Sequence, residues 1–158
     1  MPGPRVAALI AKLEKGQRKT QEILSALSDE QWKQVVYPDP YAWTARDLLA
    51  HFLSSEMELL RLVQDVASGG DGAPEGYDYD GFNAAEHRRL AAEAPEALLA
   101  ALAEARRKTI DWMQSLQEDH LDRLGRHPAL GLVTLETLIT AMYGHVLFHM
   151  RDAQRALA

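Results

Sequence analysis

Four stretches of this chain carry apolar residues at alternating three- and four-residue steps, a period that confines the fold to amphipathic helices packed stripe against stripe. Val6, Leu9, Ile10, Leu13, Thr20, Ile23, Leu24 and Leu27 mark a first helix over residues 4 to 27, with Pro4 suited to its opening turn. Thr44 opens a second, with Asp47 three residues on as its capping-box partner, and the period persists to about Ala67 before Ser68-Gly-Gly-Asp-Gly ends it. Pro95 starts a third, whose Leu98, Leu99, Leu102, Ala105, Met113 and Leu116 keep helical spacing to an end expected near Leu116. Thr134 caps a fourth that runs to about Ala156.

The segments between are equally readable. Ser28-Asp-Glu-Gln31 forms a short capping box, and Tyr37-Pro-Asp-Pro-Tyr41 cannot continue a helix through its two prolines. Residues 68 to 94 make a long connection rich in Gly, Asp and Tyr, with only a short helical segment that Asn83 and Glu86 are expected to cap.

Leu and Ala supply most of the 47% hydrophobic content while aromatics make up 7%, which favours helix over strand. The expectation is one all-α domain over residues 1 to 158, large enough for a continuous core. A formal net charge of -6 opposes a phosphate-neutralising grip on nucleic acid. The basic runs Arg106-Arg107-Lys108 and His87-Arg88-Arg89 read as solvated helix faces balanced by neighbouring acids. Without cysteine, any metal must be held by His, Asp or Glu. Lys12 and Glu14 interrupt the first apolar run, and no 18 apolar residues are consecutive, so a cytoplasmic protein without a membrane segment is expected.

Three histidines stand out against this frame. His145 and His149 are four apart on the fourth helix, so their rings lie one turn apart on one face, in line with Leu138 and Met142. His51 falls in the inward stripe of the second helix with Leu48, Phe52, Ser55, Leu59 and Leu62. It sits ~10 Å along that helix from Thr44, and the midpoint of His145 and His149 sits ~14 Å before the end of the fourth, at 1.5 Å per residue. If the second and fourth helices are antiparallel those levels nearly coincide. An up-down-down-up bundle makes them so and needs a long crossover between the second and third helices, which residues 68 to 94 provide.

Trp43-Thr-Ala-Arg-Asp-Leu-Leu-Ala-His51 at the start of the second helix and His145-Val-Leu-Phe-His149 in the fourth resemble the DinB-like superfamily of bacterial four-helix metalloproteins. The resemblance extends, as a length and helix pattern, over nearly the whole chain. It implies an up-down-down-up bundle, one divalent metal ion on His51, His145 and His149, and a homodimer. It also implies enzymes, among them transferases and an isomerase that use bacterial low-molecular-weight thiols.

Three neutral imidazoles leave an ion's double charge in place and at least one coordination position open, the arrangement of catalytic zinc sites. Zn or Ni suits such donors foremost, with Fe or Mn also compatible. A water or a thiol bound there would be acidified, for hydrolysis or for attack on a small electrophile. The leading expectation is a thiol-dependent S-transferase using a cosubstrate such as bacillithiol or mycothiol; a metal-dependent hydrolase and a non-catalytic oligomeric bundle are the rivals. Asp47 and Asp152 are candidates to support a ligand ring from behind, although capping Thr44 already explains Asp47. Asp78, Tyr79, Asn83 and His87 on the long connection are candidate substrate contacts, weighed against plain solvated loop. Glu56 and Tyr143 fall off the histidine stripe and read as rim or surface residues, His120 and His127 as exposed polar residues, and Trp32, Trp43 and Trp112 as packing.

Overall fold

The computed structural model describes residues 1–158. Four long helices carry the fold: α1 (Pro4–Ser25), α3 (Ala45–Ala67), α5 (Pro95–Met113) and α6 (Leu135–Ala156). Two shorter helices, α2 (Asp29–Trp32) and α4 (Tyr79–Arg89), and a 3-10 turn at Glu118–Asp122 lie in the connections.

Local chemistry sets the ends. Thr44 accepts from the backbone N–H of Asp47 while the Asp47 carboxylate accepts from that of Thr44, closing a reciprocal box at the start of α3. Ser28 and Gln31 do the same for α2, and Thr134 caps α6 through the N–H of Thr137. Gly3 offers α1 no side-chain cap, and Glu118 takes that part from a distance by accepting from the N–H of Val6 at 3.1 Å.

The structure corrects the sequence reading at several places. The first helix stops at Ser25 and the third at Met113, each short of the last apolar residue in its period, because Leu27 and Leu116 pack from the turns that follow. The helix in the long connection begins at Tyr79 and is capped by Asp78, which accepts from Gly81, not by Asn83 or Glu86. Two small antiparallel ladders depart from a purely helical chain. One joins β1 (Val35–Tyr37) to β2 (Trp43–Thr44), and the other joins β3 (Leu124–His127) to β4 (Gly131–Thr134). The second turns through Gly131 at φ 77°, a conformation an L side chain resists. β4 runs straight into the cap of α6, so the hairpin fixes where that helix starts.

α1 and α3 each pack against both α5 and α6. Arg5 at the start of α1 pairs with Glu136 at the start of α6 at 2.7 Å, and Arg46 at the start of α3 donates to the carbonyls of Leu90 and Glu93 just ahead of α5. The apolar core falls into two clusters. One gathers Val6, Leu13, Leu62, Val66, Met113, Leu135 and Leu138, and the other Leu24, Leu48, Phe52, Leu98, Leu102 and Ala153.

Between the clusters lies a polar layer that the sequence reading missed. Arg106, only 3% exposed, donates through Nε and Nη2 to the two oxygens of Glu56 at 2.7 and 2.9 Å and through Nη1 to the carbonyl of Leu13 at 3.1 Å. Thr109 donates to Glu56 at 2.8 Å. Arg106 is therefore no part of a solvated basic run, although Arg107 and Lys108 are exposed, and Glu56 is a core residue and not a rim one. No helix is long and apolar enough to cross a membrane.

Candidate metal centre

His51 projects from the second turn of α3, and His145 and His149 project from successive turns of α6, into a single point between the two helices. Their ligand nitrogens all lie within 4.8 Å of one another. His145 is the middle of the three: its Nε2 is 3.0 Å from that of His51 and 3.1 Å from that of His149. The rings meet edge to face, with interplanar angles of 74° to 89°, so their nitrogens converge without the rings stacking.

The tautomer of His149 is fixed from behind. Tyr37, at the end of β1, donates its hydroxyl proton to Asp152, which leaves its oxygen to accept from Nδ1–H of His149 at 2.8 Å. Nε2 of His149 then carries a lone pair toward His145. Burial and the Asp152 carboxylate hold the Tyr37 hydroxyl well above the usual phenol range, so it stays a donor. Asp152 thus supports the His149 ring through Tyr37, a residue the sequence reading had left inside a proline-broken connection.

Burial, with repulsion from its two neighbours, pushes His51 down to about 3; burial, with repulsion from His149 and His127, pushes His145 down to about 4. His149 is lowered chiefly by burial, against the pull of Asp152. All three are neutral at physiological pH, the form that donates to a metal. A single ring proton on His145 cannot bridge to both neighbours, so lone pairs must face one another. A cation at their focus resolves that conflict, and donors about 2.0–2.1 Å from a tetrahedral zinc would stand about 3.3 Å apart. The donor set and spacing fit a divalent ion.

The three rings form one wall of a cavity of about 590 Å³. Of the proposed substrate contacts, Tyr79 and Asn83 line it. Asp78 does not, since it is the exposed cap of α4. His87 stands aside too, with its ring stacked on Trp43 at 5.9 Å and 3.8 Å from Asp47. Asp47 faces Thr44 and Arg46, not a ligand ring. Trp43 packs at 5.0 Å from the His51 ring and lines the cavity as well. His127 is half-buried on the cavity wall instead of exposed, and Glu58, Tyr77, Phe82 and Leu130 join it. Tyr143 lies across α6 from this cavity, against Gly16 of α1.

The sequence model of the DinB superfamily matches residues 12–153. The chain belongs to the DinB superfamily. Its fold is similar to that of YfiT from Bacillus subtilis, described as "a probable metal-dependent hydrolase with an unusual four-helix bundle topology", with a TM-score of 0.79 and 19% identity over 99% of this chain and 87% of that one. A mycothiol-dependent maleylpyruvate isomerase superposes with a TM-score of 0.77 and 15% identity over 93% of this chain. A histidine-to-alanine variant of that isomerase gives 0.76 and 16%. The chain spans 60% of the isomerase's length. No curated sequence matches it significantly.

Removing the Tyr37 hydroxyl separates support of the ring from ligation by it. Tyr37→Phe keeps the packing but frees Nδ1 of His149, and is expected to weaken metal affinity about 10- to 100-fold, as loss of such outer partners does. Competition with a chromogenic chelator measures it. An unchanged affinity would mean that the Tyr37–Asp152 pair only packs.

Proposed function

We propose that this DinB-superfamily chain is a metal-dependent enzyme acting on a small molecule, with His51, His145 and His149 as the ligands of one divalent ion. The observation that carries it is the convergence of three neutral imidazoles at the wall of a ligand-sized cavity. A bound zinc or nickel would supply a Lewis acid with an open position, able to acidify a water or a thiol. The protein's own part is to hold the donors neutral, fix His149 through Tyr37 and Asp152, and shield the site with Trp43 and the α4 segment.

The bundle reads best as up-down-down-up, with residues 68–94 as the crossover. In support, the Arg5–Glu136 pair joins the starts of α1 and α6, and Arg46 joins the start of α3 to that of α5. Opposite senses for α3 and α6 are further supported by Gln34, which donates through Nε2 to the carbonyl of Ala156 at the end of α6 and accepts at its own backbone carbonyl from the N–H of Ala45 at the start of α3.

Among the reactions open to such a site we favour thiol-dependent S-transfer to an electrophile. The cavity's one carboxylate, Glu58, is already engaged by Arg61 at 2.6 Å and by the Tyr77 hydroxyl at 3.3 Å. Hydrolysis gains from a free acid or base beside the metal, whereas a thiolate attacks without one. The similarity to a mycothiol-dependent isomerase supports this choice, and the similarity to YfiT supports hydrolysis as the second reading. Elemental analysis of the purified protein is expected to find one metal per chain. Zinc- or nickel-loaded protein supplied with bacillithiol or mycothiol and monochlorobimane should then form the thioether faster than metal-free protein. Ester hydrolysis in the absence of thiol, with no thioether formed, would favour the second reading.

A further inference from the structure

The charge on the cavity wall says what kind of molecule fits in front of the histidines. None of its 17 lining residues is Lys or Arg, and the one acidic residue among them is Glu58. Trp43, Leu59, Tyr77, Phe82 and Leu130 supply aromatic and aliphatic surface. An anionic ligand body would lose its hydration there and gain no cationic partner beyond the metal itself.

Two further residues look built for a ligand. Gly144 lies in the middle of α6 beside His145, a position for which glycine is among the least suited residues. Gly16, the mid-helix glycine of α1, has a packing reason, since a Cβ there would meet the Tyr143 ring at 3.1 Å. Gly144 has none: a Cβ at that position meets nothing within 4 Å, and Gly144 is itself one of the residues that line the cavity. His127, at the hairpin end of β3, accepts at Nδ1 from the backbone N–H groups of Ala129 and Leu130 at 3.0 and 3.1 Å. Its proton is therefore on Nε2, and that nitrogen, on a residue lining the cavity, makes no hydrogen bond to the protein.

We propose that the cavity receives the uncharged, largely apolar body of the small-molecule substrate, that Gly144 is kept side-chain-free to admit it, and that His127 Nε2–H hydrogen-bonds a carbonyl or ether oxygen on it. The proposal rests on the reading of this cavity as the substrate site of a metalloenzyme. It concerns the electrophilic substrate, not the thiol cosubstrate, and excludes electrophiles whose bodies are dianions.

Calorimetric titration of the full chain, metal-free and zinc-loaded, with 2-acetonaphthone and with 2-naphthalenesulfonate tests it. These probes share a ring system and differ in charge, and sulfonate is a poor metal ligand. The ketone is expected to bind about tenfold or more tightly than the sulfonate in both forms. Gly144→Leu should abolish ketone binding at unchanged zinc stoichiometry. Gly144→Ala, which favours the helix, should raise the melting temperature while weakening the ketone, and it keeps the test open if the Leu variant fails to fold. His127→Ala should weaken the ketone several-fold and leave 2-ethylnaphthalene unaffected. Sulfonate binding as tight as ketone, or ketone binding indifferent to both Gly144 variants, would overturn the proposal. Ketone binding that follows these expectations in a chain that takes up no zinc would instead sink the metalloenzyme reading and leave the cavity's preference standing.

Discussion

His145→Ala is expected to leave the purified chain with less than about a tenth of an equivalent of metal and to lower any metal-dependent activity by about 1000-fold or more, because a tridentate site reduced to two donors loses both affinity and geometry. His145 is the variant of choice because its Nε2 stands 3.0 and 3.1 Å from the other two, so it bridges them. The remaining pair, His51 and His149, belongs to different helices, with ring centroids 5.4 Å apart. The fold should survive the change. The ring is only partly buried and lies beside a cavity, outside both apolar clusters. Elemental analysis, read beside far-ultraviolet circular dichroism, separates the outcomes: a folded variant that retains one metal per chain would show that the ion binds elsewhere or that two histidines suffice.

The parts of this molecule that sequence period and local capping determine were legible before any coordinates. Thr44 and Thr134 start their helices where expected because a cap is a bond between residues two or three apart, and Pro95 does so because its fixed φ suits the first helical position. His51, His145 and His149 were found together because helical phase and rise are regular enough to compare heights between helices. Tyr37 was not, since its contact with His149 spans 112 residues and arises from a short, bulged ladder carrying a cis Asp39–Pro40 bond, where no period exists to read. His127 was missed for a related reason. A hairpin of four-residue strands offers too few positions for alternation to show, and a histidine beside proline looks like surface. Asp78 misled in the opposite direction, since an aspartate near a proposed site has the same letter whether it meets a substrate or caps a helix.

Arg106 shows the limit of reading charge from sequence, and it also carries the largest stability effect. In the run Arg106-Arg107-Lys108 all three look alike, yet helical phase turns the first toward Leu102 and Thr109 and the other two toward solvent. Arg106→Met is expected to destabilise the protein by about 3–5 kcal/mol, since it strands the Glu56 carboxylate in the core with Thr109 as its one remaining donor. The double variant Arg106→Met with Glu56→Met should recover most of that loss, because apolar side chains of similar volume remove both the charge and the need to compensate it. Urea unfolding of the two single variants and the double measures the coupling directly. The pair lies between the apolar clusters and engages none of the three histidines, so the folded fraction of each variant should keep its metal. A single variant within about 1 kcal/mol of the parent would mean that water reaches Glu56 once its partner is gone. In that case the layer divides the core without being strongly desolvated, and the bundle's stability rests on its two apolar clusters alone.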